Sequence, residues 1–105
     1  MTQFMVYENR NRNSREAYPY LVNVQNNLLH SLNSRLVIPL TSFGHFGDLN
    51  ISNLCPIITI DDTRYVLLTH QMTTVPVSAL KTPVTSLDRY RDDIISAIDF
   101  LVTGI

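Results

Sequence analysis

Three histidines, one cysteine and two pairs of adjacent aspartates are the residues of this chain best suited to chemistry, and their spacing decides what they can do. His30, His45 and His70 lack both the i, i+4 spacing of a helical metal pair and any cysteine at finger spacing. A metal would need all three to converge through folding, so they read as polar surface or loop residues and no metal is expected. Cys55 precedes Pro56 inside an apolar stretch, which favours a small buried hydrophobe over a thiolate nucleophile. Asp61-Asp62 and Asp92-Asp93 are adjacent rather than opposed, as suits a solvated turn and a helix surface better than an acid-base pair. The chain has no GxGxxG, GxxxxGK or GxSxG motif, and its three glycines can hardly build a phosphate-cradling loop. The expectation is a protein without cofactor that is not an enzyme.

The scaffold that must hold these residues is small. A length of 105 residues predicts one domain spanning 1–105, large enough for one modest core. Hydrophobic residues make up 45% and charged residues 16%, which excludes a disordered chain and leaves apolar surface to spare for a partner. Eight Lys plus Arg against nine Asp plus Glu give a net charge of −1, too little positive charge to neutralise many phosphates. The apolar runs are too short to cross a bilayer, the start lacks a signal-peptide pattern, and a lone cysteine suits a reducing compartment. A soluble cytoplasmic protein without membrane contact is expected.

Aromatic and β-branched residues predict strands at Gln3–Tyr7 and Tyr18–Val24, separated by a long mobile hairpin loop over Glu8–Arg15. Arg35–Leu40 predicts a strand that Pro39 should confine to an edge or a bulge, because proline lacks a ladder donor. Thr41–Asn53, with Gly44, Gly47, Phe43 and Phe46, reads as a surface excursion. Pro56–Ile60 and Arg64–Thr69 predict a hairpin turning at Asp61-Asp62-Thr63, and Met72–Val77 a last strand. The period then changes: Leu87, Tyr90 or Arg91, Ile94, Ile98, Leu101 and Ile105 share one face of a C-terminal helix capped by Thr85 or Ser86. Ile95 and Val102 add a second apolar line, beside a polar row of Ser96, Asp99 and Thr103.

Six segments spread over the chain, QFMVY, VNVQ, RLVIPL, LCPIITI, MTTVPVS and DIISAIDFLVTGI, together resemble the CcdB family of toxin–antitoxin toxins. The resemblance implies a mainly β, SH3-like, mostly antiparallel barrel or sheet with a long C-terminal α-helix, assembled as a homodimer. It implies a toxin that binds the DNA gyrase A subunit and traps the cleaved gyrase-DNA complex, which requires no catalysis of its own. A CcdA-like antitoxin would neutralise it, and operator DNA would be met only through that antitoxin.

Carried over by position, the gyrase face comprises Ser96, Asp99, Val102, Thr103, Gly104 and Ile105 on the helix, with Asn26, Leu28 and Leu29 after the second strand. Thr103 stands where the family carries an aromatic, so a flat face for a gyrase arginine is missing. Arg10, Arg12 and Arg15 in the polar loop, and Phe43 and Phe46 in the excursion, are candidate contacts for an acidic antitoxin segment. Two alternatives belong to other classes. A MazF-like endoribonuclease would need a cation and a proton-transfer group, for which Arg35, Arg64 and His70 are the available parts, though no spacing links them. A non-toxic dimeric interaction module would follow if Thr103 abolishes poisoning.

Overall fold

The computed structural model describes residues 2–46 and 53–104, apart from the side chains of His45 and Phe46. Its strands are β1 (Met5–Glu8), β2 (Tyr20–Asn23), β3 (Ser34–Ser42), β4 (Ile57–Ile60), β5 (Thr63–Leu67), β6 (Thr73–Pro76) and β7 (Pro83–Ser86). A helical turn, α1 (Phe43–Phe46), follows β3, and one longer helix, α2 (Arg91–Thr103), ends the described chain. The fold is mainly β, with the strands forming one curled antiparallel sheet in the order β4-β5-β3-β2-β1-β7 and β6 beside β3.

Period-2 alternation sorts the sheet into two faces. Val6, Val22 and Ile38 stand in register on neighbouring strands and are all fully buried. They pack with Leu40, Ile58, Leu67 and Leu87 against Ile94 of α2. Each such side chain contributes about 1.5–3 kcal/mol when removed from water. The intervening residues Tyr7, Leu21 and Val37 face the other way and form a smaller cluster with Val75 and Leu80.

The strand expected at an edge lies in the middle of the sheet. β3 pairs with β2 along one side, while its other side pairs with β6 at Ser34–Val37 and with β5 at Leu40–Ser42. Pro39 falls in the gap where that second partner changes. Its carbonyl accepts from the Leu68 amide on the same side, so the donor that proline lacks would have pointed into the gap. A central proline is tolerated because no ladder bond is lost there.

Other local expectations also shift. The Asp61-Asp62 pair forms a two-residue hairpin loop, with Ile60 opposite Thr63 and both aspartates at positive φ (49° and 65°), so Thr63 belongs to β5. The segment between β1 and β2, a long hairpin connection as expected, carries hydrogen bonds of its own. Asn9 donates to Ser14 Oγ (3.0 Å) and the Tyr18 carbonyl (2.8 Å), Asn11 accepts from the Asn13 amide, and Thr41 Oγ1 on β3 donates to Ala17 (2.7 Å). The excursion begins later than expected, since Thr41 and Ser42 extend β3, and positions 47–52 lie outside the described residues. Phe4 takes φ 69°, a rare conformation for a bulky residue; it is buried and held by bonds from its amide to Asn23 and to its carbonyl from Leu87.

The C-terminal helix starts later than its pattern suggested. Pro83–Ser86, with Thr85 opposite Val6, is an edge strand, and a 3₁₀ turn at Asp88–Tyr90 separates it from α2. Of the two expected caps neither holds the N-cap position, which is Leu87 and has no side-chain cap; Ser86, one residue earlier, accepts a bond from the Asp88 amide. On α2 itself Ile94 and Ala97 are buried and Ile95 and Ile98 half-buried, while Leu101 is 39% exposed. The apolar face leaves the sheet one turn before the helix ends.

The 3₁₀ turn also closes the curled sheet. It leaves β7 at one edge and reaches β4 at the other, where the Thr59 amide donates to the Tyr90 hydroxyl (3.1 Å) and Arg89 donates to the Thr59 carbonyl (3.0 Å). Those two backbone groups would otherwise be an open edge. The amide and the nearby guanidinium hold the Tyr90 phenol below its usual range. Tyr90→Phe should lower stability by about 0.5–1.5 kcal/mol, read as a melting-temperature drop of several degrees.

Candidate functional site

The end of α2 is the most exposed apolar feature of the helix. Asp92 and Asp93 in its first turn favour the positive end of the helix dipole. At the other end Gly104 adopts φ 76° and donates its amide to the Phe100 carbonyl (2.9 Å), a left-handed cap that a side chain would strain. Thr103 Oγ1 donates to the Asp99 carbonyl (2.7 Å). The last turn is therefore closed by its own hydrogen bonds. Val102 is 74% exposed, and Ser96, Asp99, Thr103 and Gly104 are exposed as well. Ile105 lies outside the described residues.

The second group sits on a 3₁₀ turn, Asn27–Leu29, after β2. Asn26 caps it, its Oδ1 accepting from the Leu28 amide (2.8 Å). Leu28 is 84% exposed and Leu29 about half exposed, so neither belongs to the core. The helix end and this turn are on separate elements; α2 runs beside the 69–71 turn and packs its Ile94 into the core of the sheet. Leu32, also about half exposed, was not singled out by the sequence reading. Three leucines within an otherwise polar stretch were the available signal.

The candidate antitoxin contacts fall into two places. Arg10, Arg12 and Arg15 surround a polar depression of about 570 Å³ with Glu8 and Tyr20. Arg10 also borders an apolar groove of about 740 Å³ floored by Tyr18, Leu21, Pro39 and Val75. Phe43 is partly exposed beneath the Arg64 guanidinium, 4.2 Å from the ring centre, and the side chain of Phe46 is outside the described residues.

The parts considered for nuclease chemistry are scattered. Arg35 is buried and bonded to the carbonyls of His30, Leu32 and Ser34. Arg64 neighbours Tyr65, which pairs with Ser42 at the far end of β3. Seven residues of strand separate those ends by roughly 20 Å. His70 instead meets Cys55, with 3.6 Å between Nδ1 and Sγ. That contact joins residues far apart in sequence and was invisible there. Burial pushes the Cys55 thiol up, against a smaller downward pull from the Thr69 amide, so the sulfur stays protonated at neutral pH.

A curled antiparallel sheet closed by one C-terminal helix defines a mainly β, SH3-like fold, with apolar side chains displayed at the helix end and on a capped turn. Compared with known protein families, residues 3–104 match the family described as CcdB protein. The chain belongs to the CcdB family, toxins of toxin–antitoxin systems that generally poison DNA gyrase rather than catalyse a reaction of their own. No described helix is long and apolar enough to cross a membrane.

The buried, protonated state of Cys55 has a direct readout. At pH 8 iodoacetamide should alkylate the folded protein at least about tenfold more slowly than the denatured chain. Equal rates would show that the thiol is exposed.

Proposed function

We propose that this protein is a gyrase-directed toxin: a homodimer that binds the DNA gyrase A subunit, traps the cleaved gyrase-DNA complex and is neutralised by a CcdA-like antitoxin. The observation that supports this reading best is the end of α2. Val102 projects into solvent from a last turn that Gly104 and Thr103 close, so an apolar contact is displayed on a preorganised support rather than on a frayed end. Ser96 and Asp99 flank it as polar contacts, and Asn26, Leu28 and Leu29 supply a second contact. Exposed apolar groups of this kind gain most from a partner that removes them from water.

Trapping needs only that the toxin bind the cleaved complex more tightly than the resting one; the population then shifts without any reaction on the toxin. Arg10, Arg12 and Arg15 suit an acidic antitoxin segment, with Phe43 and Phe46 as further contacts, and the adjoining groove suits its apolar residues. An antitoxin that folds on binding and covers part of the gyrase face would neutralise by exclusion. Operator DNA is then met through the antitoxin, in keeping with the net charge of −1.

Deleting positions 103–105 is the decisive experiment. Because Leu101 is already 39% exposed, the core loses little; stability should fall by about 1–3 kcal/mol at most while binding of the gyrase A subunit is abolished. Thr103→Trp should tighten binding by about 0.5–2 kcal/mol through stacking with an arginine. Melting curves, A-subunit affinity and covalent gyrase-DNA complexes in expressing cells read these outcomes. A truncated protein that binds as well as the parent would reject the site. Sedimentation at micromolar concentration should give twice the 12.0 kDa of the chain, and a monomer would reject the dimer.

A further inference from the structure

The 26–33 segment is held by an unusual network. Gln25 bridges it to β3, its Oε1 accepting from the Leu36 amide (2.9 Å) and its Nε2 donating to the Leu29 carbonyl (3.3 Å). Asn27 Oδ1 accepts from the Gln3 amide (2.8 Å). Beneath these lies Arg35, a buried residue (6% exposed) whose guanidinium donates through Nη1 to the carbonyls of Leu32 and Ser34 and through Nη2 to that of His30 (2.9 Å).

No carboxylate takes part in those contacts. The charge is met by three carbonyl dipoles, that of His30 at the end of the 3₁₀ turn and those of Leu32 and Ser34 beyond it. Among the described residues no carboxylate pairs with this buried guanidinium, and burying it costs desolvation, so its three bonds, all to one five-residue stretch, must be what it supplies. The stretch they shape contains the exposed Leu32 and directly follows the exposed Leu28 and Leu29.

We propose that Arg35 is a positioning residue for the docking surface, and that Leu32 belongs to that surface with Leu28 and Leu29. The fork of the guanidinium reaches carbonyls on either side of Leu32 and fixes where that side chain emerges. Lysine cannot replace it, because a single ammonium cannot span the same carbonyls. This assignment rests on the gyrase reading for the identity of the partner, though not for the role of Arg35.

Two measurements on the full chain separate the claims. In Arg35→Lys and Arg35→Gln, amide hydrogen exchange at Leu29, His30 and Leu32 should rise at least tenfold while Val22 and Ile38 in the sheet keep the parent's protection. Leu32→Ser should leave exchange and melting unchanged and weaken gyrase A-subunit binding about five- to thirtyfold, with the Arg35 variants weakened similarly. Unchanged exchange in the loop, a uniform rise across the sheet, or unfolding of both Arg35 variants would overturn the positioning role, the last two by making the guanidinium a requirement of the whole fold. Undiminished binding by Leu32→Ser would remove Leu32 from the surface. A parent protein that does not bind gyrase would reject the gyrase reading and the membership of Leu32, while the exchange data would still decide the role of Arg35.

Discussion

A nine-residue strand containing a proline has to satisfy hydrogen bonds along both edges, and the rest of the molecule is arranged around that requirement. The solution is to give β3 two successive partners on one side and to place Pro39 between them, with the Leu68 amide taking its carbonyl. The connection between those partners must then run past the middle of β3. There it forms the 69–71 turn on which α2 packs. The register with β2 is set by the same strand, and it brings Val6, Val22 and Ile38 into one buried row. From the N-terminal end of β3, Arg35 reaches back to shape the turn that displays the leucines.

The proposed docking surfaces lie where the sheet stops covering apolar side chains. α2 crosses the core through Ile94 and Ala97 and runs past it, so Leu101 and Val102 emerge on a helix already anchored several residues earlier. Rigidity at the exposed end then costs little additional ordering when a partner binds. The Asn26-capped turn follows the same logic with hydrogen bonds in place of core packing. Both surfaces combine apolar exposure with a backbone held by local hydrogen bonds.

Closure of the sheet by Tyr90 and Arg89 ties the start of α2 to β4. The turn that satisfies the β4 edge is also the start of α2, so the direction of the helix is set by two bonds to Thr59 as much as by its apolar face. A small sheet with an open edge is a template for unwanted pairing, and side-chain bonds to its backbone remove that template without an eighth strand.

Much of this architecture was legible in the residues themselves. Aromatic and β-branched runs bounded by turn residues marked six of the seven strands, and a change to a period of three or four marked the helix, because composition and period report which segments carry apolar side chains for a core. The ordered set of short segments pointed to the family. What periodicity cannot report is which neighbour covers a face and how far it extends. Leu101 fits the helical stripe as well as Ile94 does, yet the sheet ends before reaching it. Pro39 looked like an edge residue because the sequence shows a missing donor but not the gap into which it points. Pro83–Ser86 has no strong strand pattern; β1 recruits it through backbone bonds that are indifferent to side chains. The meeting of Cys55 with His70, the three carbonyls around Arg35 and the closure at Thr59 join groups through space or through backbone atoms, so only the tertiary structure could decide them.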